Sequence, residues 1–499
     1  MSFVIGIDVG TSGVKGLLVG EDGKVAGEAL VEYGMEAPRP GWAEQDPDKW
    51  WEASVEAVKK LMSGSAAGPD DVAGIGLTGQ MHSSVFLDDK DKVIRPALLW
   101  CDQRTSQEVK YITDTIGFER LVELTANRAL TGFTAPKVLW LRNNESENYK
   151  RMKSLLLAKD YVRFRLTGEK KTEVSDASGT LLFDVKERKW SEGVLDALDI
   201  DPSILPASCE STEVTGGLTS EAAGMCGLKE GTPVVGGGGD QAAGAVGNGV
   251  VEEGPVLVTL GTSGVVFASA DRPVIDPEAR LHSFCHASPG LWHTMGVMLS
   301  AGGSMQWLRN TLREAGADSG YKALDGLADS APPGSDGLLF LPYLTGERTP
   351  HFDPEARGVF SGLSFKSGAG HLARSVMEGV AFAIKDSVRL MEEAGTALDV
   401  VYLSGGGAKS ELWSKIVASV LGMPIKRLSV DEGPAFGAAV LALVGTGHFG
   451  TTLEAARSTL SIKDEIDPVE DWSEVYFEAY DRFGNLYDAL RGEFGQGDQ

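Results

Sequence analysis

Two aspartates stand in sequence contexts that a carboxylate rarely occupies. Asp8 lies in the apolar segment IGIDVG, just before a glycine-rich turn that begins at Gly10. An ionised carboxylate is costly there unless a cation or hydrogen-bond donors accompany it, and water-coordinated Mg²⁺ is a natural partner beside an anion-binding turn. Asp240 follows four glycines, residues 236–239, at the predicted start of a helix. Because glycines let a substrate approach the backbone, Asp240 is suited to accept a proton from a hydroxyl group, although it could instead cap the helix.

The pentapeptide GTSGV occurs twice, at residues 10–14 and again at residues 261–265. Each copy follows an apolar, strand-like segment, IGIDV in the first case and VLVTL in the second. Turns of glycine, threonine and serine present N–H and hydroxyl groups that can bind an anion such as phosphate. The repeat therefore predicts two similar half-molecules that each contribute a hairpin turn to one site, with a boundary near residues 247–256. Two unrelated hairpins are the alternative interpretation.

The P-loop motif and the protein-kinase motifs are absent from the sequence, and the glycine cluster at 236–239 is no clean dinucleotide fingerprint. No G-x-x-x-x-G-K-[ST] segment is present, which excludes a P-loop protein. The glycines at 236–239 do not continue into G-x-G-x-x-G, because Gln241 or Ala242 stands where the third glycine would fall. The HRD and DFG motifs of protein kinases are also missing. A phosphate site built from paired turns is the design that remains.

The composition is that of a globular protein, with 42% hydrophobic and 23% charged residues among 499. Its formal net charge of −25 disfavours nucleic acid and anionic membranes as partners. The four cysteines form no CxxC pair, which favours a reducing compartment over disulfides or a zinc site. No apolar run approaches the length of a membrane span, and the first residues lack the basic region of a signal peptide. We therefore expect a cytoplasmic location.

The elements that must position these residues are suggested by periodicity and turn signals. Residues 1–35 predict three strands joined by two tight turns, and residues 46–62 predict a helix that Asp46 caps. Helical spacing also runs through 104–125 and 146–166. Further along, the segment GPAFGAAVLALV predicts a small-residue helix suited to close packing. The aromatic residues of the C-terminal tail recur at helical spacing and predict a packing face.

Many ordered segments of this chain resemble one protein family. They run from the start of the chain to about residue 445 and include IGIDVGTSGVKGLL, GWAEQDPDKWW, GQMH, RPALLWCDQR, GFTAPKVLWL, LLAKDYVRFRLTGE, SDASGTLLFDV, GGGDQAAGAVG, LGTSGVVF, LPYLTGERTPHFDPEARGVFSGL and LSGGGAKSELW. On these segments the chain resembles the FGGY family of carbohydrate kinases. The GQMH and GFTAPK segments resemble members that act on xylulose more than members that act on glycerol.

This resemblance implies an α/β fold of two ribonuclease-H-like domains, of the actin and sugar-kinase type, with the active site in the cleft between them. The N-terminal domain would span residues 1–250 and carry the sugar site, the first phosphate turn and the Asp240 loop. The C-terminal domain, residues 251–446, would bind ATP. Residues 447–499 would form a helical tail packed on the fold.

The activity that the resemblance implies is MgATP-dependent phosphorylation of D-xylulose at its 5-hydroxyl. Asp240 would accept the proton, and Asp8 would hold Mg²⁺ through water and help to align the phosphates. Met81 and His82 would contact the sugar, with Gln241 beside them. The residues implied to contact ATP are Gly10, Thr11, Ser12, Gly261, Thr262, Ser263, Gly406, Gly407 and Ala408. The expected partners are thus a sugar and ATP, and a homodimer is possible.

Two positions depart from the family pattern and leave the identity of the sugar open. Ser83 stands where relatives usually carry glycine, and Gln241 stands where they often carry asparagine. Ribulose, gluconate and glycerol are therefore alternative substrates. A non-catalytic, actin-like ATP-binding module is a further alternative, and so is a degenerate kinase that senses a sugar.

Overall fold

The computed structural model describes residues 2–316, 320–429 and 433–495. Its strands, in chain order, are β1 (Phe3–Val9), β2 (Gly13–Gly20), β3 (Val25–Glu32), β4 (Glu44–Gln45), β5 (Val72–Gly79), β6 (Val85–Leu87), β7 (Ala97–Leu98), β8 (Ser154–Leu156), β9 (Lys171–Glu173), β10 (Phe183–Asp184), β11 (Lys189–Trp190), β12 (Ala207–Cys209), β13 (Val214–Gly217), β14 (Pro233–Val235), β15 (Gly238–Gly239), β16 (Gly254–Leu260), β17 (Gly264–Ala270), β18 (His282–Cys285), β19 (Trp292–Met298), β20 (Leu339–Leu341), β21 (Val359–Ser361), β22 (Leu398–Ser404), β23 (Ile425–Leu428) and β24 (Ile462–Ile466).

The α-helices of the same residues are α1 (Pro47–Gly64), α2 (Ser106–Ile116), α3 (Phe118–Thr125), α4 (Thr134–Asn144), α5 (Ser146–Arg151), α6 (Ala158–Thr167), α7 (Val174–Ser178), α8 (Glu192–Leu198), α9 (Ser220–Cys226), α10 (Asp240–Gly247), α11 (Gly302–Glu314), α12 (Tyr321–Asp329), α13 (Ala369–Glu393), α14 (Glu411–Leu421), α15 (Gly433–Gly445), α16 (Thr452–Thr459) and α17 (Ser473–Leu490). Within the described ranges, no helix is both long enough and apolar enough to cross a membrane.

Two mixed sheets have the same arrangement at their centres. In the first, whose order is β13-β14-β5-β1-β2-β3, β1 is antiparallel to β2 and parallel to β5. In the second, whose order is β18-β19-β17-β16-β22-β23-β24, β16 is antiparallel to β17 and parallel to β22. The two GTSGV copies close the equivalent hairpins β1–β2 and β16–β17. The predicted pair of similar half-molecules is therefore confirmed, and the fold is α/β as expected.

Several predicted helices agree with the structure, and others are shorter than expected. Helix α1 begins at Pro47, and the side chain of Asp46 accepts a hydrogen bond from the Asp48 N–H at 3.0 Å, as an N-cap should. The segment 104–125 is two helices, because Gly117 lies between them with φ of 86°. The segment 146–166 is also interrupted, because strand β8 separates α5 from α6.

Helices α10 and α15 pack together between the two sheets. Small and aliphatic side chains of both helices form one core with residues from β1, β2, β16 and β17. Helix α15 lies between β23 and β24 of the second sheet in the chain but packs against β1 and β5 of the first. Its backbone approaches that sheet so closely that a Cβ on Gly76 would lie 1.9 Å from the carbonyl oxygen of Ala438. The predicted close-packing helix is thus confirmed, and its partner is the N-terminal sheet.

The C-terminal tail packs on both halves of the molecule, with α16 against α10 and α15 and α17 on the second core, but it is not purely helical as expected. Strand β24 extends the second sheet by pairing with β23, and α16 and α17 flank it in the chain. The aromatic stripe of the tail is a packing face, since Tyr476 and Phe483 are buried in the core of this half. Residues 496–499 of the predicted tail lie outside the described part of the chain.

The contact between α10 and α15 leaves no room for a side chain at Gly437. An alanine there would place its Cβ 1.7 Å from the carbonyl oxygen of Ala243. We expect Gly437→Ala to lower the free energy of unfolding by about 1–3 kcal/mol, because backbone must move. Urea unfolding followed by tryptophan fluorescence measures this loss.

Gly224→Ala is the matched control, since Gly224 lies within helix α9 and a Cβ there meets no atom within 4 Å. It should raise the free energy of unfolding by up to about 1 kcal/mol. Equal effects of the two substitutions would contradict the steric argument.

Candidate active site

Asp8 and Asp240 meet at one edge of the first sheet. Strand β1 ends at Val9, and its neighbour β5 ends at Gly79, which also pairs with Gly239 of β15. Helix α10 begins at Asp240, immediately after that pairing. The carboxyl ends of three adjacent strands therefore bring the two aspartates together, at the kind of edge where α/β proteins bind ligands.

Burial changes the titration of both carboxyl groups. Burial raises the pKa of Asp8 to about 6, although the charge of Lys15 opposes the shift. Burial also raises the pKa of Asp240 to about 7, and the neighbouring charge of Asp8 raises it further. A carboxyl group with a pKa near neutrality can both accept and release a proton at physiological pH, as a general base must.

The capping alternative for Asp240 is not supported. The N-cap of α10 is Gly239, and the Asp240 carboxylate accepts a hydrogen bond from the N–H of Gln241, the next residue, at 2.7 Å. The bond occupies Oδ1 of the carboxylate and does not close a turn of the helix. Gln241 is the second residue of the helix, so its side chain also belongs to this edge of the sheet.

The first GTSG turn is held by a set of side chains that the motif analysis did not identify. Gln45 donates to the carbonyl of Thr11 at 2.6 Å, and Tyr33 donates to the carbonyl of Gly10 at 2.6 Å. The Thr11 hydroxyl donates to Gln80 at 3.2 Å and accepts from the indole N–H of Trp100 at 3.0 Å. The side chain of Thr11 is thus engaged within the protein. The backbone N–H groups of the turn and the exposed Ser12 are what it offers to a phosphate.

The second GTSG turn lies against the N-terminus of α11. Gly302 and Gly303 donate their N–H groups to the carbonyls of Gly261 and Thr262 at 2.8 and 2.9 Å. A Cβ on Gly302 would lie 2.5 Å from the Gly261 carbonyl oxygen, so this contact needs glycine. The turn therefore has a rigid backbone position, and the exposed Ser263 stands at its tip.

A cavity of about 600 Å³ opens beside this second turn. This volume suits a ligand of nucleoside size. Its lining includes four of the six residues expected to contact ATP outside the first turn, Gly261 and Thr262 from the turn and Gly406 and Gly407 from the triple-glycine loop. The lining residues that sequence reasoning missed include Leu260, Met305, Tyr321, Asp325, Met377 and Trp413.

Ala408 is not among the residues that line this cavity. It lines a different cavity, together with Asn248 and Arg427, and its side chain is buried. The triple-glycine loop therefore contributes Gly406 and Gly407 to the larger cavity, and the following Lys409 borders both cavities.

Met81 and His82 follow strand β5 and lie beside the Asp240 loop. A Cβ on Gly239 would be 2.9 Å from Cγ of Met81, so the methionine packs directly against the residue before Asp240. His82 has a φ of 67°, which is unusual for a residue with a side chain. Its carbonyl accepts hydrogen bonds from Lys137 at 2.9 Å and Thr134 at 3.2 Å, which hold that conformation. Both donors belong to the GFTAPK segment.

The imidazole of His82 is neutral and has a defined tautomer. Nδ1 lies 2.7 Å from the carbonyl oxygen of Gly179, which can only accept, so Nδ1 carries the proton. Burial lowers the pKa of His82 to about 3, and the charge of Lys137 lowers it further. Nε2 is therefore an acceptor suited to a sugar hydroxyl. Ser83, the departure from the family pattern, is fully buried and can affect a bound sugar through packing.

In the segment LHSFCHAS, residues 281–288, the imidazole of His286 is held by hydrogen bonds within the protein. His286 shares a hydrogen bond with the carbonyl of Val250 at 3.0 Å and accepts one from the N–H of Ser288 at 2.8 Å. No group of three metal-ligating side chains forms in the part of the chain that the structure describes.

These features define a class of protein. Two halves of the same architecture each present a glycine-rich turn, one beside a nucleoside-sized cavity and the other beside two aspartates and a histidine with a free acceptor. This is the organisation of a two-domain small-molecule kinase.

Comparison with known proteins identifies the family. The models for the N-terminal and C-terminal domains of the FGGY family of carbohydrate kinases match residues 3–247 and 256–446. The chain belongs to the FGGY family of carbohydrate kinases. The expected two-domain sugar-kinase fold and kinase class are thereby confirmed.

Individual relatives are similar over nearly the whole chain. A xylulose kinase of Escherichia coli is 43% identical over 90% of this chain and 91% of its own length. One from Staphylococcus xylosus is 37% identical over 98% of this chain and 100% of its own length. A solved xylulose kinase from Rhodospirillum rubrum superposes with a TM-score of 0.93 at 31% identity, covering 99% of this chain and 100% of that one.

Proposed function

We propose that this protein transfers the γ-phosphoryl group of ATP to the 5-hydroxyl of D-xylulose. The observation that carries the proposal is Asp240, a partly exposed carboxyl group whose pKa is raised by desolvation to about 7, at the start of α10 and directly after Gly239, against which Met81 packs. The similarity to xylulose kinases of Escherichia coli and Staphylococcus xylosus supports the choice of sugar.

The residues on this edge of the sheet suffice for in-line transfer. The ionised carboxylate of Asp240 accepts the proton of the sugar hydroxyl as its oxygen bonds to phosphorus, and the bond from phosphorus to the ADP oxygen breaks. Asp240 then returns the proton to solvent. His82 accepts a hydrogen bond from another sugar hydroxyl through Nε2 and so orients the acceptor. The backbone N–H groups of the two GTSG turns stabilise charge on the phosphates.

The nucleotide is placed on the other side of the cleft. The cavity beside Gly261 and Gly406 would hold the nucleoside, and Ser12 and Ser263 would extend from the turns towards the phosphates. Because the protein carries a net charge of −25, local amide groups rather than the overall field must attract the anionic nucleotide.

A divalent cation fits the surroundings of Asp8. Its Oδ1 is enclosed and has no hydrogen-bond partner among the described residues, although a buried carboxylate oxygen needs one. A water molecule of a hydrated Mg²⁺ would supply that partner. Bound there with ATP, Mg²⁺ would neutralise phosphate charge, and Asp8 would hold it in register with the first turn.

Removing this carboxylate should weaken the response to magnesium. We expect Asp8→Ala to raise the Mg²⁺ concentration for half-maximal activity about 10- to 100-fold, as losses of partners around a metal typically do. Titration calorimetry of Mg²⁺ into the protein with ATP gives a readout that does not depend on turnover. Asp22→Ala is the control, because Asp22 lies in an exposed turn paired with Lys24. An unchanged Mg²⁺ requirement in Asp8→Ala contradicts the assignment.

The sugar is tested by a panel of acceptors. D-xylulose, D-ribulose, gluconate and glycerol are each incubated with MgATP, and both ADP and the phosphorylated product are measured. The proposal requires the highest kcat/KM with D-xylulose and a product phosphorylated at the 5-position. A higher kcat/KM with another acceptor overturns the choice of sugar, and absence of turnover with all four favours the non-catalytic ATP-binding module.

We also propose that the protein works in the cytoplasm. All four cysteines are free, which suits an enzyme that works in a reducing cytoplasm. The sugar and ATP are its proposed partners. A homodimer remains a prediction, which sedimentation analysis can test.

A further inference from the structure

The five-residue helix α7 and the residue after it contact both the loop that carries Asp240 and the imidazole of His82. Near its start, the hydroxyl of Ser175 accepts a hydrogen bond from the N–H of Gly239 at 3.0 Å. Just after its end, the carbonyl of Gly179 accepts the Nδ1 proton of His82 at 2.7 Å. Gly239 directly precedes Asp240. One rigid segment therefore touches the backbone that carries the base and the ring that faces the sugar.

The direction of the Ser175 hydroxyl is determined by its second partner. Its oxygen lies 2.9 Å from Oε1 of Glu173, and a carboxylate can only accept, so the hydroxyl proton points to Glu173. Glu173 also accepts the N–H groups of Ser175 and Asp176, at 2.7 and 2.9 Å. With its proton committed, the hydroxyl has a lone pair left for the Gly239 N–H. This arrangement allows one orientation of that peptide.

Glu173 is in turn held by a cluster of charged groups that are all completely buried. Lys159 lies 3.3 Å from Glu173, 2.9 Å from Asp160 and 3.0 Å from Asp176. Arg163 lies 2.8 Å from Asp160 and donates to the carbonyl of Gly236. The glycine loop 236–239 is therefore anchored at its first residue by Arg163 and at its last by Ser175.

We propose that Ser175 is a positioning residue for Asp240, which sets the angle of the base through the Gly239 peptide. The inference rests on the proposed function, in which Asp240 accepts the proton. The N–H groups of Gly236 and Gly237 are bonded to the carbonyls of Glu213 and Ser211, and Gly238 and Gly239 pair with β5, so the Ser175 hydroxyl completes this anchoring at the N–H directly before the base. Because glycine backbone is conformationally permissive, loss of that last bond should let the carboxylate move out of line with the sugar hydroxyl. A misplacement of about 1 Å can lower a rate about 100-fold.

The test compares Ser175→Ala with Ser211→Ala. The Ser211 hydroxyl is also completely buried and also donates to Glu173, at 2.9 Å, but its side chain has no contact with Gly239 among the hydrogen bonds of the described residues. Both variants lose one buried hydroxyl bonded to the same carboxylate, so their stability losses should be similar. Only Ser175→Ala loses the anchor of the base.

We expect Ser175→Ala to lower kcat about 10- to 100-fold with D-xylulose and MgATP, with both KM values changed by less than about threefold. Ser211→Ala should retain kcat within about twofold. If Ser175 positions the base, its loss lowers kcat while KM and the unfolding midpoint relative to Ser211→Ala stay nearly unchanged. If its role is purely structural, the two variants should lose kcat and stability alike. Wild-type kcat in Ser175→Ala, or an equal loss in Ser211→Ala, overturns the inference.

If Ser175→Ala does not fold, Ser175→Cys is the second variant with which the inference can be tested. The thiol is a weaker donor and acceptor than the hydroxyl, so a folded Ser175→Cys protein should show a reduced kcat, and wild-type turnover in it overturns the inference. Asp240→Asn, assayed in parallel, separates the two proposals. High activity in Asp240→Asn removes the proposed base, whereas an inactive Asp240→Asn beside a fully active Ser175→Ala removes only the positioning role.

Discussion

Asp240→Asn should lower kcat by about 10²–10⁴-fold while the protein folds and binds ATP as before. The amide has nearly the same shape as the carboxylate but cannot take the proton of the sugar hydroxyl. Because ATP is expected on the opposite side of the cleft, its affinity should be unchanged. A coupled assay of ADP release measures turnover, and calorimetry with a non-hydrolysable ATP analogue measures binding.

The control must remove an acidic residue from the first turn of a helix without touching the site. Glu192 is the exposed first residue of α8, so Glu192→Gln removes a comparable interaction with a helix dipole. This variant should keep wild-type kcat. Near wild-type turnover in Asp240→Asn would refute the assignment of the base.

Protonation of Asp240 should make the kcat/KM of the wild-type protein fall at acidic pH. Burial and the charge of Asp8 raise the pKa of Asp240 to about 7, and the base acts in its ionised form. Therefore kcat/KM should fall as the pH decreases below about 7 and level off above it. Since Asp8 and Asp240 interact, this pH dependence belongs to the pair rather than to one residue. It should be lost from the residual activity of Asp240→Asn.

Lys159→Met should destabilise the protein by about 3–5 kcal/mol, the cost of leaving buried charges without their partner. Lys159 lies within 3.3 Å of the carboxylates of Asp160, Glu173 and Asp176, and all four side chains are fully buried. The three carboxylates hold the pKa of Lys159 above its usual range despite burial. Methionine fills a similar volume, so the loss reports charge rather than a cavity.

The pH dependence of this loss distinguishes charge from packing. In wild type, burial opposes ionisation of Asp160, but Lys159 and Arg163 outweigh it and hold the pKa of Asp160 below its usual value. Burial already raises the pKa of Asp176 to about 7 in the wild type, although Lys159 opposes the shift. Without Lys159 the folded-state pKa values of Asp160 and Asp176 both rise, so protonation favours the folded variant more strongly than it favours the folded wild type. The urea midpoint of Lys159→Met should therefore be further below wild type at pH 8 than at pH 5.5.

Lys415→Met is the surface counterpart, because Lys415 pairs with Glu411 on an exposed face of α14. Its loss should change the free energy of unfolding by less than about 0.5 kcal/mol. A pH-independent loss in Lys159→Met, or a loss as small as that of Lys415→Met, would contradict the role of the buried charges.

The parts of the fold that local chemistry determines were predictable. The repeated GTSGV turns form equivalent hairpins, and Asp46 caps α1, because turn and cap preferences act within a few residues. The position of Asp240 at a helix start after a glycine loop was also evident. These features sufficed to place the candidate base and both turns.

The features that could not be predicted from the sequence depend on contacts between distant parts of the chain. Lys159, Asp160, Glu173 and Asp176 have the composition of a solvated surface, and only packing beneath the glycine loop buries them. The role of Lys137 at the carbonyl of His82 is equally invisible in a single sequence. Strand β24 was missed because its alternation of charged and apolar residues is short and half exposed.

The return of α15 to the first sheet makes the two halves of the gene product inseparable. A polypeptide cut after residue 250 would contain β1, β5 and Asp240, yet it would expose the apolar surface that α15 covers and the glycines on which α15 rests. Such a fragment should aggregate when expressed alone and regain solubility when the rest of the chain is co-produced. We therefore expect that the N-terminal half cannot be produced alone as a folded unit, because part of its core is supplied by a helix that begins only at Gly433, far along the chain.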